Sequence, residues 1–444
     1  MLVNIHFIKR TTFSLFLLAA ILVSQPLKAQ VWTLKQCLDT AQQYNKNLLV
    51  SRNNLLIGEQ KVQEARASLI PKVSINADYK YFADLPYQFM PQAAFGGPEG
   101  EFKEIQFGVP HNINANLQLS IPLYSPQVYG SIQSSEIASE LVDLQNRKSE
   151  EQIAYEVINL YYNAQIFRYK VAFIEGNLIN AKKLLQNTQL LREQLLAKGT
   201  DVSKIQLQAD QLTNLQELTI SKYMQVISAL KISVGVPLSQ NLEVEDSIIT
   251  TAPQVYEQTA TLDTRIVEKQ NSLLQSELSS FKNSRLPSVS LYGSYGTTGF
   301  GYDKAPNEFL KFYPVSFAGL QMSYPLFNGT VTRQKVSQKK LEIKNKELQA
   351  SLIADQRALQ IETAQQQESV AQRSVETTLA HIQLAQSIYD QTILQQKQGV
   401  ASLTDVLLAD NALRETQQNH LSALIDYLKS DLDLKKATGN LFLK

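Results

Sequence analysis

The sequence predicts a mainly α protein that carries a membrane β-barrel, organised as a two-fold internal repeat of a strand hairpin plus a long coiled-coil helical hairpin. Three observations predict this class. The chain repeats its own landmarks, its helical segments are several times longer than those of globular domains, and four short segments switch from helical period to alternation.

The repeat shows in four places. Pro71-Lys72-Val73-Ser74-Ile75 resembles Pro287-Ser288-Val289-Ser290-Leu291, and Leu117-Gln118-Leu119-Ser120-Ile121-Pro122-Leu123-Tyr124 resembles Leu320-Gln321-Met322-Ser323-Tyr324-Pro325-Leu326-Phe327. Lys198-Gly199 is echoed by Gln398-Gly399, and Leu230-Lys231-Ile232-Ser233-Val234-Gly235 by Leu434-Lys435-Lys436-Ala437-Thr438-Gly439. The offsets are 216, 203, 200 and 204 residues. They divide the chain into a first repeat at 30–237, a polar linker at 238–252 and a second repeat at 253–444.

Each repeat reads helix, strand, loop, strand, long helix, turn, helix. The helices are predicted near 34–70, 127–198 and 203–234, then near 254–286, 330–398 and 403–437. In each repeat two short helices laid end to end match the long one, a rod of roughly 100–110 Å at about 1.5 Å per residue. Ser125-Pro126 offers a capping hydroxyl and a first-turn proline. Ile153, Val157, Leu160, Ala164, Phe167, Val171, Ile174 and Leu178 alternate spacings of four and three, the period of a supercoiled helix. Ala350, Ala354, Ala358, Ala364, Ala371, Ala380 and Ala385 fall on several faces, which suits a helix with neighbours on both sides in the wall of a tube. A structural or adhesive coiled-coil envelope protein would carry the same helices.

The strands separate these readings. They are predicted near 72–84 and 112–121, and near 288–300 and 315–325. Val73, Ile75, Ala77, Tyr79 and Tyr81 alternate with Ser74, Asn76, Asp78 and Lys80, and Ile113 to Ile121 alternates with asparagines and Gln118; the second pair is noisier. One apolar and one polar face over about 9–11 residues is the pattern of a membrane barrel strand. A soluble sheet on a core gives the same alternation, but no globular core is predicted here, and a rod has no use for such hairpins. Tyr79, Tyr81, Phe82, Tyr87 and Phe89 mark one hairpin tip and Tyr302, Phe309, Phe312 and Tyr313 the other; Tyr124 and Phe327 mark the opposite end, as interfacial girdles would. The loops between strands fall near 85–111 and 301–314. Four strands are too few to close a membrane barrel, and open edges are forbidden in lipid. Copies of the chain must therefore share one barrel, and symmetry favours a closed ring.

Composition excludes other classes. Lys plus Arg is 42 and Asp plus Glu 41, a net charge of +1, so nothing points to nucleic acid. Residues 1–29 read as an export signal: Lys9 and Arg10 precede an apolar run from Phe13 to Val23 that is too short to span a bilayer. No later stretch is apolar enough for a transmembrane helix. Cys37 is the only cysteine and allows no intrachain disulfide. After the signal, histidine occurs only at His111, His381 and His420, without partners at ligand spacing, so no metal site is expected. No phosphate loop or nucleophile elbow is present. No catalytic residue and no cofactor is expected.

The order of elements resembles the TolC family of outer-membrane efflux proteins along essentially the whole mature chain. The matching pieces are Leu34-Lys35-Gln36-Cys37-Leu38 with Ala41 and Asn45, Ala67-Ser68-Leu69-Ile70-Pro71, Ile121-Pro122-Leu123, and Gly399 with Leu403-Thr404-Asp405-Val406-Leu407. The resemblance implies a homotrimer with a twelve-stranded barrel in the outer membrane above a twelve-helix tunnel crossing the periplasm. It also implies passive export of substrate from an inner-membrane pump through a periplasmic adaptor, in efflux or type I secretion. The helical hairpin tips, Gly199, Thr200 and Asp201, and Gly399, Val400, Ala401, Ser402 and Leu403, would then meet the adaptor and form the entrance. Gly199 and Gly399 also read as helix terminators in the left-handed conformation. Asp405 matches a pore-facing aspartate, three copies of which make a cation-favouring ring; it also reads as a charge in the first turn of the last helix. Leu408 and Ala401 stand where the best-known member has a second aspartate and an arginine. Asp410 falls on another face of the helix.

Overall fold

The computed structural model describes residues 31–246, 248, 256–302 and 311–441. The export signal expected at 1–29, the later part of the linker and most of the second strand loop lie outside those residues. In chain order the elements are β1 (Val31–Trp32), α1 (Leu34–Tyr44), α2 (Lys46–Ala67), β2 (Lys72–Tyr81), β3 (Tyr87–Pro91), β4 (Phe102–Gln106), β5 (His111–Tyr124), α3 (Pro126–Glu193), α4 (Gly199–Val234), β6 (Glu243–Val244), α5 (Leu262–Asn283), β7 (Ser288–Gly301), β8 (Lys311–Ser323), α6 (Val331–Lys397) and α7 (Leu403–Thr438). Two compact units result. Asn54–Leu144 with Arg265–Leu352 form one, and the remaining described residues form the other. Each unit draws on both halves of the sequence.

In the helical unit, buried apolar residues follow the heptad reading. Ile153, Val157 and Ala164 of α3 pack with Leu230 and Val234 of α4 and with Cys37 and Ala41 of α1. Further along, Ile174 and Leu178 meet Ala209 and Leu212 of α4. Ala385 and Tyr389 of α6 close on Val406, Ala409 and Leu413 of α7. The first predicted helix is broken at Asn45, because its side-chain oxygen accepts from the backbone amides of Asn47 and Leu48 and so caps a new helix, while its side-chain nitrogen donates to the carbonyl of Ser233 at 2.6 Å. The polar linker is partly structured. β6 pairs in parallel with β1, Leu242 and Val244 enter the core, and Tyr161 and Arg168 of α3 donate to the carbonyls of Trp32 and Val244 at 2.9 Å each.

In the strand unit, one antiparallel sheet has the order β2-β5-β7-β8. The helices that feed it are tied in the same order. Arg66 of α2 bonds Glu136 of α3 at 2.6 Å, Lys269 of α5 bonds Glu140 of α3 at 2.6 Å, and Lys339 of α6 bonds Glu277 of α5 at 2.8 Å. The predicted loop at 85–111 contains a second hairpin, β3 with β4. β8 starts at Lys311 and runs through Pro314, which an edge strand tolerates because its missing N–H need not serve a ladder. Pro122 of β5 sits beside a shift in register, where a ladder bond is dispensable.

Candidate channel site: membrane sheet and hairpin tips

Register sorts the sheet into two faces, since residues paired across antiparallel strands project to the same side. On one face lie the rows Val73–Leu119–Gly293–Ala318 and Ile75–Leu117–Tyr295–Ser316. On the other lie Ser74–Gln118–Ser294–Phe317 and Asp78–Asn114–Thr298–Tyr313. In the second of these, Thr298 donates to Asn114 at 3.0 Å and Asn114 to Asp78 at 3.2 Å. Among the described residues no helix or second sheet covers either face: all ten residues of β2 are exposed, Ile75 at 77%, as is most of β8. β2 and β8 are also the edges, each paired on one side only. The strands approach closely at Gly296, where an added Cβ would stand 2.3 Å from the carbonyl oxygen of Ala115. Two uncovered faces, each carrying exposed apolar side chains, and two bare edges cannot be a finished soluble sheet.

The hairpin tips differ from the sequence reading in one respect. Gly399 has φ +77° and closes α6, with the amides of Gly399 and Val400 donating to the carbonyls of Gln396 and Gln395 at 3.0 and 2.9 Å. Gly199 does not play this part. It is the first residue of α4, and Leu195, with φ +62°, takes the left-handed position. The amides of Leu195 and Leu196 donate to the carbonyls of Arg192 and Leu191 at 2.9 and 2.8 Å, the same pair of bonds one repeat earlier. Leu195 and Gly399 stand 204 residues apart, as do the helix-start residues Lys198 and Ser402. Thr200 and Asp201 therefore lie in the first turn of α4 rather than in the turn itself, whereas Val400, Ala401 and Ser402 do lie in theirs and Leu403 begins α7. Sequence reasoning missed Leu195 and Leu196, which are 94% and 72% exposed, the counterpart of Val400 at 76%. The offset of 204 between Leu230 and Leu434, applied to the tips in place of the 200 between Lys198 and Gln398, was the signal that could have found them.

Asp405 is exposed and belongs to a capping box. It accepts from the amide of Ser402 at 2.8 Å and from its hydroxyl at 2.7 Å, and its own amide donates back to that hydroxyl at 3.2 Å. These bonds from Ser402 hold its carboxyl below the usual range. Asp410 is buried, paired with Arg414 at 2.9 Å and bonded by Gln208 of α4. Burial pushes its carboxyl up, against the pull of Arg414 and Gln208. Leu408 is exposed. Among the described residues no group of His, Cys, Asp and Glu could hold a metal ion, and no helix is long and apolar enough to cross a membrane.

The profile of the outer membrane efflux protein family matches residues 262–440. The chain is 23% identical over 439 residues to the outer membrane protein TolC of Salmonella enteritidis, covering 93% of this chain and 83% of that protein. To TolC of Vibrio cholerae it is 23% identical over 346 residues, 74% of this chain and 77% of that one. Residues 262–440 carry an outer membrane efflux protein domain. Among solved structures, the outer membrane protein VceC of Vibrio cholerae superposes with a TM-score of 0.73 at 15% identity, covering 91% of this chain and 96% of that one. The CmeC outer membrane channel of Campylobacter jejuni gives 0.72 at 15% identity, covering 92% and 86%. Like the outer membrane efflux proteins and channels it matches, this protein is an outer-membrane efflux channel, a passive duct and not an enzyme.

Proposed function

We propose that three copies of this chain form one exit duct, with a twelve-stranded barrel in the outer membrane and a twelve-helix tunnel in the periplasm, delivering substrates from a periplasmic adaptor and an inner-membrane pump of the efflux or type I secretion kind. Residues 1–29 act as a cleaved export signal. The carrying observation is the four-stranded sheet with two bare edges and two uncovered faces. Only pairing β8 of one copy with β2 of the next satisfies both edges in lipid. Exposed apolar residues support the same joint: Leu207, Leu215 and Leu218 on α4, and Leu359, Leu384 and Ile388 on the long helix α6, stand exposed in the single chain.

At the tips, Leu195, Leu196 and Val400 join Gly199, Thr200, Asp201, Gly399, Ala401, Ser402 and Leu403 as the surface offered to the adaptor, and Asp405 lines the entrance. Bare leucines on a tight turn are stabilised by covering them, and a helical adaptor hairpin would do so. Membrane fractionation followed by native mass measurement in detergent tests the reading. The expected species is an outer-membrane oligomer of three times the mature chain mass; a monodisperse soluble monomer would end the proposal.

A further inference from the structure

The two faces of the sheet are not simply apolar and polar. On β2 and β5 the second face is polar in every row, from Lys72 and Ser120 at one end to Lys80 and Asn112 at the other. Carried across to β7 and β8, the same rows hold Tyr292, Phe317, Val315, Tyr313 and Phe300, all exposed. Tyr292 and Phe317 meet edge to face with ring centroids 6.0 Å apart, and Phe300 and Tyr313 lie 6.1 Å apart. The first face is apolar on these strands as well, with Leu291, Tyr295, Phe312 and Leu320. The second repeat's hairpin is thus apolar on both sides, and lipid can cover only one.

We infer that the second-face residues of β7 and β8 form an aromatic lane along the barrel lumen that binds uncharged, ring-bearing solutes in transit. The inference rests on the channel reading, in which the polar face of β2 and β5 lines water. Rings held in a water-lined wall gain by contact with an apolar solute, and paired rings leave faces and edges free for stacking. From the row of Tyr292 to that of Tyr313 the lane carries no formal charge on either strand, and Lys311, opposite Phe300, stands at its end. On β2, Asp78 and Lys80 face each other at 3.4 Å and offset one another. An uncharged occupant therefore suits it better than an ion. Next to the rings, Ser294 and Thr298 offer hydroxyls for the polar groups of such a solute. From the row of Tyr292 to that of Phe300 the lane spans about 27 Å at about 3.4 Å per residue. A solute would pass between several weak contacts, which is what conduction requires.

The test uses the purified full-length protein in planar bilayers, with 4-nitrophenyl glucoside as the probe bearing an aromatic ring and methyl glucoside as the same sugar without one. The nitrophenyl compound should interrupt the current saturably and the methyl compound should not. Phe317→Ser with Tyr313→Ser should weaken that block about tenfold at unchanged conductance, since two ring contacts are lost. Phe317→Leu with Tyr313→Leu keeps apolar bulk without rings and should lose block several-fold; it serves where the serine pair fails to insert. Tyr295→Ser with Phe312→Ser, on the opposite face, should leave block unaltered. Equal block by both sugars, or full block in either lane pair, overturns the inference. So does sensitivity confined to Tyr295 and Phe312, which would mean the lane faces lipid. A wild-type protein that forms no channel at all removes the channel reading itself.

Discussion

Asp405 and Asp410 lie on one helix, α7, yet their carboxyls are driven in opposite directions. Ser402 donates twice to Asp405 and holds it ionised, whereas burial penalises the charge on Asp410. If three copies of Asp405 line the entrance, Asp405→Asn should lower cation preference, read as a shift in reversal potential under a salt gradient, while an asparagine oxygen preserves the cap. The same substitution at Asp410 should leave selectivity unchanged; the opposite pattern would sink the assignment of Asp405. Asp410 instead governs stability against pH. Its folded-state carboxyl titrates above 3.8, so the native state binds more protons than the unfolded state in that window. Stability must then fall as pH rises from about 4 through the raised value, and stay level beyond it. Asp410→Asn removes Asp410's share of that slope, because amides do not titrate, and leaves the shares of Glu151 and Glu368, whose carboxyls burial also raises. Denaturant midpoints measured across the acid range for both proteins decide it: a parallel slope in the variant would show that other groups set the pH response.

At the scale of elements, Leu195 stores strain that glycine would release. A left-handed backbone costs an L side chain roughly 1–2 kcal/mol, a cost Gly399 avoids in the other repeat. Leu195→Gly should therefore stabilise the first tip by about 1 kcal/mol in denaturant midpoints, whereas Leu195→Ala keeps the strain and gains nothing. If the exposed leucine serves the adaptor, the glycine variant should also bind adaptor more weakly in pull-down. Greater stability with undiminished binding would leave the leucine without that role. This turn also shows what was legible. The long helices were read from their heptads because buried positions repeat at 3.5 residues, and Val157 and Ala164 are fully buried where the period puts them. The tip of the first hairpin was misplaced because Gly199 matches Gly399 in residue type, while the conformation is carried by Leu195, whose identity advertises nothing. β3 and β4 were hidden among glycines and prolines that also read as loop. β7 and β8 looked noisy because alternation fades when both faces carry aromatics, and only register separates Tyr292 from Tyr295. Asp405 was legible as a capping charge because Ser402 precedes it by three.

For the whole molecule, the ring can be tested by where its copies must touch. Within one chain α2 and α6 flank the strand unit, with α3 and α5 between them. Gly58 of α2 lies against Ser139 of α3, Glu140 bonds Lys269 of α5, and Gln270 bonds Lys346 of α6 at 3.0 Å. Ile57 and Leu348 are therefore near one level on the two outer helices, and both are exposed. A cross-link between them cannot easily form inside a chain, but it joins neighbours if β8 of one copy pairs with β2 of the next. The sequence makes the experiment clean, since Cys37 is the only native cysteine and is buried. Ile57→Cys with Leu348→Cys, treated with a short bismaleimide, should give bands of two and three chains on a denaturing gel. Either cysteine alone should give only a single chain. The number of bands carries the symmetry argument, because a head-to-tail contact either closes on itself or runs on without limit. A ladder that stops at three is a closed ring of twelve strands. A fourth band would mean a wider barrel, and an unbroken ladder would mean that the two edges do not close.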